Sequence, residues 1–66
     1  MSVARVTEIS ATSPSSFEDA IQEGINRATQ TLRNVEGAWI KEQQVVINDG
    51  HITGYKINMV ITFVLE

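Results

Sequence analysis

The only tryptophan, Trp39, lies in "EGAWIKEQQ" (36–44), between Gly37 and a run of polar side chains. An indole presents a large flat face at little entropic cost, so it suits stacking on a flat ligand or anchoring a neighbouring subunit. Near it in the chain or across the strands, the amides of Gln43, Gln44 and Asn58 can donate and accept hydrogen bonds. Lys56 can donate to a ligand carbonyl or hold a phosphate. These four side chains equally suit the polar lining of an internal cavity or a solvated sheet face. Glu42, projecting from mid-strand, is the candidate ligand for a cation gathered at a symmetry axis. "NDGH" (48–51) has oxygen donors without calcium-loop spacing, and His51 has no second histidine or cysteine with which to share a metal. Ser13, Ser15 and Ser16 read as helix capping, with no histidine–acid set to activate a nucleophile. No general acid–base pair can be argued, and enzymatic chemistry is not expected.

The elements that position these groups must come from 66 residues. A chain of that length is a single domain and buries only about 60% of its unfolded surface as a monomer. One such core rarely supplies more than ~3–5 kcal/mol. With no cysteine and one histidine, neither disulfides nor a structural metal is at hand, which leaves an unusually good core or oligomerisation. The net charge of −3 is dispersed along the chain, so nothing here grips a phosphate backbone and a nucleic-acid partner is not expected. "MSVARVTEIS" lacks an apolar signal region, and no apolar run approaches ~18 residues. The expectation is a soluble, cytoplasmic protein with no membrane partner.

Residues 3–11 read as a strand whose Val6 and Ile9 fall on opposite faces, as in a strand covered on both sides. "TSPSSFED" carries helix-start signals, with Ser13 before Pro14 as an N-cap or Ser15 and Glu18 as a capping box. Phe17, Ile21, Ile25, Ala28, Leu32 and Val35 recur at helical spacing and predict one amphipathic helix of roughly 18–20 residues. Gly24 sits mid-helix, where it suits close approach to a strand, and Gly37 is a candidate left-handed end. Residues 38–48 and 52–65 then form two strands joined by Asp49-Gly50, the turn preferred by a two-residue type I′ hairpin.

That turn implies a register. With Asn48 opposite His51, Ile40 falls opposite Met59 and Ala38 opposite Ile61, on the face the helix covers. Trp39 lies beside Val60, Lys41 beside Asn58 and Gln43 beside Lys56 on the other face. Val45, Ile47 and Ile52 are expected there too. The simplest sheet has the third strand in the middle, antiparallel to both neighbours. The expected fold class is α+β: a β-α-β-β protomer with a three-stranded antiparallel sheet wrapped around one helix. An apolar outer face with an exposed tryptophan marks an interface.

The order and spacing of "VARVTEISATSP", "AIQEGINRATQTLRNV", "NDG" and "YKINMVITFVLE" make the chain, over essentially its whole length, resemble the dodecins. The resemblance implies a hollow homododecamer, and in many members a pair of riboflavin or FMN molecules stacked between tryptophans at threefold interfaces. It also locates departures. The usual flavin tryptophan slot holds Gly37, and Trp39 is displaced by two, which in a strand keeps the face. The glutamine that hydrogen-bonds the flavin's pyrimidine edge is replaced by Lys56. Basic residues near the phosphate correspond to Gln44 and Val64. Two functions follow: sequestration of flavin, with Trp39 as the stacking platform, or a flavin-free shell with a structural, cation-binding (calcium, for example) or other small-ligand role.

Overall fold

The computed structural model describes residues 3–65. The elements run β1 (Ala4–Ser13), α1 (Phe17–Thr31), β2 (Val35–Asn48) and β3 (His51–Val64). The sheet order is β1-β3-β2, with β3 antiparallel to both neighbours. The β-α-β-β architecture and the central place of the last strand match the reading of the sequence.

The helix starts later than either serine pattern implied. Ser16 is the N-cap: its backbone is extended, and its Oγ accepts the Asp19 N–H at 2.9 Å. That satisfies one of the donors left unpaired at a helix start, and Glu18 and Asp19 set negative charge beside the helix dipole. Ser13 is instead buried at the end of β1. Its hydroxyl donates to Asp19 Oδ2 at 2.6 Å and accepts the Ser15 N–H at 3.0 Å, closing the β1–α1 corner. The helix is accordingly 15 residues long, shorter than expected. It ends on Leu32, whose N–H donates to the Ala28 carbonyl at 2.9 Å. Asn34, at φ 59°, makes the left-handed step into β2, and Gly37 lies inside the strand. Asp49 and Gly50 have φ 53° and 78°, as a type I′ turn requires.

The helix lays small residues, Ala20, Gly24 and Ala28, against Ile57, Met59 and Ile61 of β3, and this is the buried core. Ile9, Ala11, Ile21, Ile25 and Leu32 ring it. Phe17 closes one end against Tyr55, edge to face at 5.2 Å. A Cβ on Gly24 would stand 2.6 Å from Met59 Cε and 3.3 Å from Ala11 Cβ, so the glycine sets how closely the helix approaches the sheet. The helix packs on β1 and β3, and of β2 only Val35, at its start, joins the core: Ile40 faces the helix side yet is 41% exposed. Val6, on the opposite face of β1, is 52% exposed in the single chain. The protomer measures 50 × 19 × 13 Å, drawn out by the β2–β3 hairpin.

Overpacking at the Gly24 contact should cost about 1–3 kcal/mol. In guanidinium unfolding, Gly24→Val should lower the midpoint clearly. Gly24→Ala should lie nearer the parent, because a helix-propensity gain of about 1 kcal/mol offsets the crowding. A Gly24→Val midpoint equal to the parent's would mean that the contact does not limit the helix–sheet distance.

Candidate functional site

The candidate residues are placed by two irregularities that cancel. From the turn, Asn48 opposes His51 and Ile47 opposes Ile52; at the far end Ile40 opposes Met59, Trp39 opposes Val60 and Ala38 opposes Ile61. These are the pairs the Asp49-Gly50 turn implies. Between them the register is offset by one: Val46 opposes Gly54, Gln44 opposes Lys56, Gln43 opposes Ile57 and Glu42 opposes Asn58. Thr53 is the extra residue on β3, and its hydroxyl donates to the Val46 carbonyl at 3.3 Å. Lys41 is the extra residue on β2. A bulge of this kind turns two consecutive side chains towards one face and raises the local twist.

Gln43 lies beside Ile57, on the helix side of the sheet, and not beside Lys56; Lys41 is not opposite Asn58. Val45 opposes Tyr55, so it shares the helix side, and Ile47 follows it there by alternation. Gln44 and Glu42 take the places on the open face instead. Of the candidates, Trp39, Gln44, Lys56, Asn58 and Glu42 are brought together and Gln43 is separated from them.

Three rows cross this open face: Glu8–Val60–Trp39, Ser10–Asn58–Glu42 and Thr12–Lys56–Gln44. At about 3.3 Å per residue the first and third are about 13 Å apart along β3. Trp39 is 53% exposed. Beside it Gly37 opposes Thr62 on the same face, with nothing within 4 Å of where a Cβ would stand. The displaced tryptophan therefore remains on the face where the resemblance puts it.

Both bulge side chains reach polar partners here. Lys41 Nζ lies 3.1 Å from Glu8 Oε1, spanning the central strand; both groups are half exposed, so the pair contributes at most about 1 kcal/mol. Asn58 Nδ2 donates to Glu42 Oε1 at 2.9 Å. Lys56 is half-buried and has no carboxylate at ion-pair distance among the described residues. No three acidic, histidine or cysteine side chains converge on one point among the described residues, so Glu42 alone does not make a metal centre within one protomer. Glu8, Ser10 and Thr12 were missed as neighbours of the site; the antiparallel pairing of β1 with β3 is the signal that places them. A groove of about 630 Å³ runs elsewhere, between the edge of β1 and α1, lined by Ile9, Ala11, Gly24, Arg27, Ala28 and Leu32 among others.

A sheet bare on one face, one helix on the other and an exposed edge strand define a small α+β protomer with room for partners. The chain belongs to the dodecin family, whose family model, Dodecin, matches residues 3–66. It is similar to the calcium dodecin of Mycobacterium tuberculosis, 32% identical over 63 residues that cover 96% of this chain and 89% of that protein. Among solved structures it is similar to the dodecin from Streptomyces davaonensis, with a TM-score of 0.92, 40% identity, and 98% and 96% of the two chains covered. The crystal structure of the Mycobacterium tuberculosis calcium dodecin, a calcium-chelating antigen with a novel calcium-binding site, superposes with a TM-score of 0.85. It is 29% identical, with 98% of this chain and 93% of that one covered. No helix among the described residues is long and apolar enough to cross a membrane.

Cross-strand thiols report this register directly. Gln44→Cys with Lys56→Cys should form a disulfide in air, because directly opposed residues of an antiparallel pair have Cα atoms about 4.5–5.5 Å apart, within the range a disulfide spans. Gln43→Cys with Lys56→Cys should remain reduced, its thiols being on opposite faces. The reverse pattern, read by mass after alkylation, would restore the unbroken register.

Proposed function

We propose that the chain assembles into a hollow homododecamer that sequesters riboflavin or FMN between subunits, with Trp39 as the stacking platform, and that it acts in the cytoplasm as a binding and storage protein. The observation that carries this reading is the half-exposed Trp39 on a sheet face that its own helix does not cover. A flat apolar ring left bare in one protomer gains by burial against a second ring system, from a ligand or another copy. Lys56, Gln44 and Asn58, on the same face, supply polar groups for a ligand's edge. Gln43, on the helix side, has no part in it. Stacking also quenches an excited flavin, which links storage to protection from its photochemistry.

A second reading is favoured by the similarity to a calcium dodecin and by the Glu42 carboxylate on the open face. In it the shell holds calcium where acidic side chains of several copies meet, and Trp39 is an anchor between subunits.

Riboflavin titration separates the two. Under the flavin reading, flavin fluorescence falls on binding; Trp39→Ala weakens binding about ten-fold or more, the worth of one aromatic stack at the upper end of its range, and the assembly keeps its native mass. Under the calcium reading riboflavin fluorescence is unchanged, Trp39→Ala breaks the assembly, and calcium raises its thermal midpoint in proportion to log concentration.

A further inference from the structure

We propose that the Lys41–Glu8 ion pair is a salt-sensitive strap across the open face of the sheet, and that its closure sets the position of the Trp39 ring. Lys41 and Glu8 are then positioning residues. They act through the indole on whatever it meets, a ring ligand or a second subunit.

Val60 is covered on a side of the sheet where no helix lies. It opposes Glu8 on one strand and Trp39 on the other, so it points to the open face. It is nevertheless only 7% exposed, while Trp39 beside it is 53% exposed. The cover therefore comes from side chains on the open face itself. Glu8 and Trp39 flank Val60, and Lys41 closes over the strand between them. As the extra residue of its bulge, Lys41 has no partner on β3. Its side chain runs past the central strand to Glu8 on β1, where Nζ lies 3.1 Å from Oε1. β1 and β2 are two strand spacings apart, about 10 Å, so the methylenes of the lysine lie over β3. A lysine stem laid along apolar surface with its ammonium in water is favourable. Glu42, the next residue, is taken up by Asn58 at 2.9 Å, which leaves Glu8 as the carboxylate that receives Lys41.

The surroundings of Trp39 are unequal as a result. Towards Lys41, two residues on, the strap borders the ring. Towards Gly37 there is no side chain, and nothing lies within 4 Å of where a Cβ would stand. The indole has room on one side, and release of the strap opens the other. Both charges are about half exposed, so the pair favours the closed state by no more than about five-fold. Salt screens a pair of this kind. The strap is poised to open.

Lys56, the only other lysine, shares the face without a carboxylate at ion-pair distance among the described residues, and is the internal reference for a test. The purified protein is labelled with an amine-reactive ester from about 0.01 M to about 1 M salt, over which the screening length falls from about 30 Å to about 3 Å. Parallel samples are followed by acrylamide quenching of Trp39. Labelling of Lys41 relative to Lys56 should rise about two- to five-fold across that range, and quenching of Trp39 should change with it. Glu8→Gln should bring both readings to their high-salt values at low salt. Glu8→Lys combined with Lys41→Glu, which rebuilds the pair in reverse, should restore the salt response of Trp39, and Glu8→Lys alone should not. A labelling ratio unmoved by salt or by Glu8→Gln would overturn the strap. A ratio that moves while Trp39 quenching does not would leave an ion pair that positions nothing, and would overturn the assignment as well. So would a quenching change that appears only where the native mass changes, because subunits and not the strap would then be moving.

Discussion

One helix of 15 residues has to cover a sheet whose outer strands are 10 and 14 residues long, and it cannot. Its small face, Ala20, Gly24 and Ala28, lets it settle closely on Ile57, Met59 and Ile61, which concentrates the core along the central strand. Close approach gives dense packing but little width. β2 is therefore left nearly bare along its length, and so is most of the outer face of the sheet. No disulfide framework compensates for the surface that the helix leaves uncovered.

Much of this was legible from residue types. Asp49-Gly50 allows few alternatives between two β-rich runs, and the alternating apolar residues from Tyr55 to Phe63 mark a face buried under a helix. The helix existed where its spacing placed it, but its ends did not. Three serines around Pro14 offer several caps, and the choice of Ser16 depends on Ser13 being buried against Asp19, a tertiary contact between residues six apart. At the other end Asn34 took the left-handed conformation that a glycine usually takes, which freed Gly37 to lie in the strand.

The offset in the middle of the hairpin was hidden for a different reason. Thr53 on one strand and Lys41 on the other each add one residue, so the pairs beside the turn and from Ile40 to Gly37 are those of an unbroken ladder, and a further extra residue, Glu36, then offsets Val35 to Phe63. Neither Thr53 nor Lys41 is glycine or proline; Gly54, next to Thr53 inside the strand, is a local sign of the first bulge, and nothing beside Lys41 signals the second. Their effect falls on the candidate site alone: Gln43 is turned to the helix side, and Glu42 and Gln44 are turned to the face that carries Trp39 and Lys56. Membership of the dodecin family was legible for the same reason as the hairpin. It rests on the order and spacing of elements across the chain, which the bulges leave unchanged. The face and setting of Trp39 follow from the ends of the ladder, whereas the company of polar groups it keeps follows from the middle.

The central claim is that other copies of the chain cover what the helix cannot. Sedimentation velocity of the purified protein at micromolar concentration tests it most directly. A single species at twelve times the 7.3 kDa chain mass, with tryptophan emission shifted to the blue of a water-exposed indole, is the expected result. A folded monomer of 7.3 kDa whose stability does not change with protein concentration, with its tryptophan still open to water, would contradict it.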